Sequence, residues 1–161
     1  MRNFLRELKP YILIVIAVII IRSFLVTPGL VNGDSMNDTL YDSDVVLVNK
    51  IALKLGIHRF DIVVLDYDGD TLIKRVIGLP GDKVEYKNNV LYINDMEIVS
   101  EFDFEKTDDF VLTAGEYEYI VLGDNRDDSK DSRIFGPVKE ARIKGKVNIV
   151  LFPFNRLGFV K

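Results

Sequence analysis

Between Tyr11 and Ile21 the chain reads YILIVIAVIII, and the tyrosine hydroxyl is the only polar side-chain group in the run. A helix with no polar face must be buried on every side or sit in lipid. After Arg22 and Ser23 the sequence resumes as FLV, so residues 10–26 make a short membrane span with Arg22 snorkelling toward the headgroups. Arg2, Arg6 and Lys9 precede it, which by the positive-inside rule puts residues 1–9 in the cytoplasm, the transmembrane anchor at 10–26 and residues 27–161 outside. A cleavable leader is the alternative. Thr27-Pro28-Gly29, however, is a poor substitute for the small-x-small pair that such a cleavage site needs.

Charge is distributed unevenly about this run. Arg2, Arg6, Lys9 and Arg22 against Glu7 leave residues 1–27 at +3, and since the whole chain carries −4 the remainder carries −7. An acidic domain lacks the clustered cations that neutralise phosphate, so nucleic acid is not an expected partner. The absence of cysteine excludes disulfides and thiolate metal sites, and a single histidine, His58, excludes zinc centres built from several imidazoles. No metal and no cofactor are expected.

Downstream of the anchor, alternating apolar stretches dominate. DVVLVNKI, FDIVVLDY, TLIKRVIG, KVEY, VLYIN, EYIVLG and KVNIVLF read as strands, with KNN as a hairpin turn between KVEY and VLYIN. VKEARIK, between Pro137 and Gly145, reads as a short helix, and DFEKTDD at 103–109 as an exposed loop. The expectation is a mainly β, antiparallel domain on one N-terminal transmembrane helix.

Two residues carry a chemical question. Strand alternation places Lys74 on one face with Leu72 and Val76. If that face is buried, desolvation pushes the ammonium toward its neutral form. An unperturbed lysine, pKa ~10.4, is neutral about one time in 10³ near pH 7.4. Bringing that value to ~7–8 costs ~3–5 kcal/mol, which an apolar face can impose. Ser35 stands in the turn Gly33-Asp34-Ser35-Met36. About nine residues separate it from Val26, so at most ~3.6 Å per residue keeps it within roughly 32 Å of the bilayer. A serine needs a base to attack at neutral pH, and a neutral lysine supplies one. The competing base is His58, in the connector LGIHRFD.

GDSM…TL, FDIVVLDY, LIKRVIGLPGD and VLGDNRDDSKDSRIFGPV occur in that order. Together they resemble the motif boxes of type I signal peptidases, the membrane-anchored Ser-Lys proteases, from the anchor to about Val138. The resemblance implies a signal-peptidase-type catalytic domain of antiparallel sheets in the bacterial cell membrane. Its substrates would be signal peptides of exported preproteins, cleaved after small residues at −1 and −3, and its second partner the lipid bilayer. It implies Ser35 as nucleophile and Lys74 as general base. Ser129 would orient the lysine, with Asp131, Arg133 and Arg75 supporting the site. By position Val31, Met36, Leu40, Leu72 and Ile73 would line a shallow substrate pocket. An EF-hand reading of the acidic loop from Asp127 fails because Ser132 stands where a glycine is needed.

Two positions depart from the family pattern. Gly33 stands where some relatives carry an oxyanion-binding serine, leaving the Ser35 backbone N–H as the expected donor. Asp38 stands where proline is common, which is expected to loosen the following loop. Phe152, Phe154, Leu157 and Phe159 read as core, with an apolar rim at the headgroups as the alternative. Two rival functions share this type of fold. Self-cleaving repressors are cytosolic and carry a DNA-binding head, which the anchor and acidic charge oppose. A non-catalytic assembly factor for secreted subunits would lose the serine or the lysine, and this chain has both.

Overall fold

The computed structural model describes residues 8–16, 18, 25–98 and 106–160. Twelve strands are described: β1 Val26–Leu30, β2 Val45–Asn49, β3 Ile62–Tyr67, β4 Asp70–Gly78, β5 Lys83–Lys87, β6 Val90–Ile93, β7 Met96–Glu97, β8 Phe110–Thr113, β9 Glu118–Leu122, β10 Val138–Lys139, β11 Ile143–Phe152 and β12 Gly158–Phe159. They form an eight-stranded sheet in the order β1-β2-β11-β3-β4-β9-β10, with β12 added to β11, and a four-stranded sheet in the order β7-β6-β5-β8. Every pairing is antiparallel.

The unbroken apolar runs follow from burial on both faces of the large sheet. In β3, Ile62 and Val64 enter a core with Val31, Met36, Leu40, Val46 and Val147. Val63 and Leu65 enter a second core with Val76, Tyr119, Val121 and Ile143. A third core, built on Val84, Tyr86, Leu91 and Ile93 with Ile77, Ile120 and Leu122, joins the small sheet to the large one. The KNN turn is present, with Asn88 and Asn89 both at positive φ (52° and 64°) as a two-residue hairpin requires.

Four expectations are corrected. VKEARIK is not a helix. Val138–Lys139 pair with β9, Glu140–Arg142 make one 3-10 turn, and Ile143 opens β11, whose ladder to β3 takes precedence over the helical pattern. Val26, the last residue of the expected anchor, and residues 27–30, which fall in none of the expected strands, form the edge strand β1, where Pro28 costs no interior hydrogen bond. Phe152, Phe154, Leu157 and Phe159 are not core: Phe154 is 78% and Phe159 83% exposed. Leu40, expected in the pocket, is fully buried in the core beneath the Ser35 loop.

Residues 8–16 and 18 are helical, and their apolar side chains from Tyr11 to Ile16 and at Val18 are exposed. Residues 17 and 19–24 of the expected anchor lie outside the described residues, as do 1–7 and positions 103–105 of the expected loop, while 106–109 form no regular element. Among the described residues no helix is long and apolar enough to cross a membrane.

Candidate active site

The site forms where a ladder ends. β9 pairs with β4 only from Arg75 onward, opposite Leu122, so β4 loses that neighbour at Lys74. The loop carrying Ser35 meets the chain just past β9, where the Asn125 N–H donates to the Ser35 carbonyl at 3.2 Å. Lys74 is 2% exposed and starts on the apolar face it shares with Val76 and its cross-strand partner Val63. Its Nζ lies 2.7 Å from Ser35 Oγ and donates to the Ile73 carbonyl at 3.0 Å. Burial pulls the Lys74 ammonium down to about 8, against the opposing pull of the Asp131 and Asp124 carboxylates. The apolar face is therefore part of the cause, and nearby carboxylates stop the value falling further.

Those carboxylates hold the loops. Asp124, just beyond β9, takes a bidentate pair from Arg75 (Nε 2.8 Å, Nη2 2.7 Å), and Thr39 Oγ1 donates to it at 2.5 Å. Arg75 Nη2 also donates to Thr39 Oγ1 at 3.0 Å and Nη1 to the Phe60 carbonyl at 3.0 Å. A fully buried guanidinium thus ties β4, the end of β9 and the Ser35 loop together. Asp131 is fully buried and caps the short helix Ser132–Phe135. Burial alone would raise its carboxyl, but the bonds it accepts from the Arg133 guanidinium and the Gly123 N–H hold it below the usual range. Arg133 Nη1 reaches on to Thr107 Oγ1 at 2.8 Å.

Ser129, expected to orient Lys74, sits beside Gly123 and Asp131, and among the described residues Lys74 Nζ bonds to Ser35 Oγ and the Ile73 carbonyl. Gly123 has a steric reason to be glycine. A Cβ there would fall on Ser129 Oγ and within 2.5 Å of the Ser35 carbonyl oxygen. Gly33, at φ +91°, donates its N–H to Asp42 Oδ1 at 2.8 Å and offers no hydroxyl. No protein acceptor takes the Ser35 N–H among the described residues, so it is available to a developing oxyanion. Asp38 stands in a hydrogen-bonded turn. Thr39 and Leu40 both donate to the Met36 carbonyl at 2.8 Å, closing the turn without a proline ring.

A cleft of about 140 Å³ opens beside the pair, with Val31, Met36, Leu72 and Ile73 on its walls together with Leu30, Val48 and Val64. Leu40 is absent from it. His58 is exposed, with Nδ1 3.7 Å from Asp61 Oδ2, and among the described residues it makes no hydrogen bond with Ser35. Reading single residues missed Asp124, Thr39 and Gly123. Asp124 and Gly123 lie inside the GDNR stretch and Thr39 inside the TL pair, which was the only signal available for them.

A serine hydroxyl on a buried amine, in an antiparallel β domain, is the arrangement of a serine peptidase. The family model for signal peptidase, peptidase S26, matches residues 4–152, and the chain belongs to that family. It is 38% identical to signal peptidase IB of Staphylococcus aureus (strain MRSA252) over 87% of this chain and 85% of the relative. It is 37% identical to signal peptidase I S of Bacillus subtilis (strain 168) over 97% and 93% of the two chains. The crystal structure of a signal peptidase I from Enterococcus faecalis V583 superposes with a TM-score of 0.51 at 39% identity, over 56% of this chain and 95% of that one.

Proposed function

We propose that this protein is the serine endopeptidase that removes N-terminal signal peptides from exported preproteins, with Ser35 as nucleophile and Lys74 as general base. One observation carries the reading: a lysine 2% exposed, drawn to about 8, with Nζ 2.7 Å from a serine Oγ. The neutral amine takes the Ser35 proton as Oγ attacks the scissile carbonyl, and the resulting ammonium protonates the leaving amine. The Ser35 N–H stabilises the oxyanion. Water, deprotonated by the same amine, then releases the acyl group. Arg75, through Asp124 and Thr39, and Asp131, through Gly123, fix the two segments that meet. The cleft is narrow and walled by the apolar side chains of Val31, Met36, Leu72 and Ile73, which suits small uncharged residues at −1 and −3.

The substrate and the enzyme meet at a bilayer. The exposed apolar side chains at 11–16 and 18 support an anchor that hands over to β1 at Val26, with the N-terminus cytoplasmic and the β domain outside. Leu30 is paired with Val45, and Val45 with Phe152, so the exposed patch of Leu30, Phe152, Phe154, Leu157 and Phe159 adjoins the cleft wall. It lies one short strand, ~17 Å, from the apolar run, and its occupant is the lipid surface. Incubation with a preprotein and N-terminal sequencing of the product tests the reading. Cleavage should follow the small residue at −1 and cease when an aromatic replaces it. Equal cleavage of both substrates would remove the shallow-pocket account.

A further inference from the structure

The nucleophile loop is gripped from two sides. Inside, Arg75 and Asp124 hold the Thr39 side chain. Outside, Arg156 donates to the Thr39 carbonyl at 2.9 Å, pairs with buried Asp44 at 3.0 Å and lies 4.1 Å from the centre of the Tyr41 ring. Asp44 in turn receives the Tyr41 N–H, and its own carbonyl receives the Val31 N–H, so these contacts bracket the segment that contains Ser35. Arg156 closes the 3-10 turn Phe154–Arg156, and its neighbours Phe154 and Leu157 are exposed. The contacts of Arg156 hold the turn on its inner side only, and covering the apolar side chains on its outer side adds to its stability.

We propose that Arg156 is a positioning residue that couples the 152–159 patch to the Ser35 loop, so that cleavage is fast only when that patch is seated on the bilayer. The inference rests on Ser35 being the nucleophile. Thr39 shares a turn with Met36, the residue after Ser35, and a displacement near 1 Å at a reacting atom costs up to about 10²-fold in rate.

The test uses the full chain in phosphatidylcholine–phosphatidylglycerol vesicles and a peptide spanning a cleavage site. Arg156→Gln should lower kcat about 10- to 100-fold while KM stays within about twofold and the far-UV circular dichroism stays that of wild type at the assay temperature, although the lost Asp44 pair lowers the melting temperature. Arg156→Lys should be intermediate, because it keeps the charge and loses the fork. Ethylguanidinium should restore part of the activity of Arg156→Gly. Phe154→Ser with Leu157→Ser should lower kcat in the wild-type background and add less than about twofold to Arg156→Gln. Wild-type kcat in Arg156→Gln, a change confined to KM, or fully additive effects would each overturn the coupling. Ser35→Ala run in parallel separates the two ideas. Residual cleavage there removes the nucleophile itself, whereas an inactive Ser35→Ala beside a fully active Arg156→Gln removes only the coupling.

Discussion

A buried lysine leaves a mark on stability as well as on rate. Lys74 falls from 10.5 to about 8 on folding, because burial penalises its ammonium. Between those values the unfolded chain binds the extra proton, so stability rises with pH; below about 8 the lysine is protonated in both states and its cost is felt in full. The span corresponds to about 3 kcal/mol. Lys74→Met should therefore be more stable than wild type at pH 7 and lose that advantage by pH 10.5, as read from urea unfolding. Cleavage should vanish in Lys74→Ala and in Lys74→Arg, since arginine does not deprotonate in this range. Gly123→Ala should lose at least about 10²-fold in kcat, because its Cβ collides with the Ser35 backbone and Ser129.

Among the elements, the strands with two buried faces were legible and the short or atypical ones were not. FDIVVLDY carries a continuous apolar run that only a doubly covered strand explains, and TLIKRVIG, although interrupted by Lys74 and Arg75, is buried from Lys74 to Gly78. β1 was hidden because Pro28 and Gly29 break the strand pattern, yet an edge strand tolerates both. β10 and β12, of two residues each, carry no periodic signal. In the site, Ser35 and Lys74 were visible from motif order, while Thr39, Asp124 and Arg156 acquire their roles only when distant segments meet. The Arg75–Asp124 pair belongs to this scale. Asp124→Asn would leave a buried guanidinium without its carboxylate and should cost roughly 3–5 kcal/mol in unfolding free energy. Ser129→Ala should reduce kcat mildly, because Lys74 keeps its bonds to Ser35 and Ile73.

At the scale of the whole molecule, the aromatic cluster near the C-terminus was misread because composition cannot distinguish a core from a lipid-facing rim. The exposure of Phe152, Phe154, Leu157 and Phe159 excludes the core, and contact with lipid is what we propose for them. The proposed topology predicts that protease added to intact spheroplasts degrades the β domain, whereas protection until the membrane is opened would reverse the orientation. The central claim is that a neutral Lys74 activates Ser35, and the pH dependence of kcat/KM for preprotein cleavage by the membrane-embedded full chain tests it most directly. The account predicts one ascending limb with its midpoint near 8, unchanged by His58→Ala. A midpoint near the ordinary histidine value of about 6.5 that disappears in His58→Ala would contradict it.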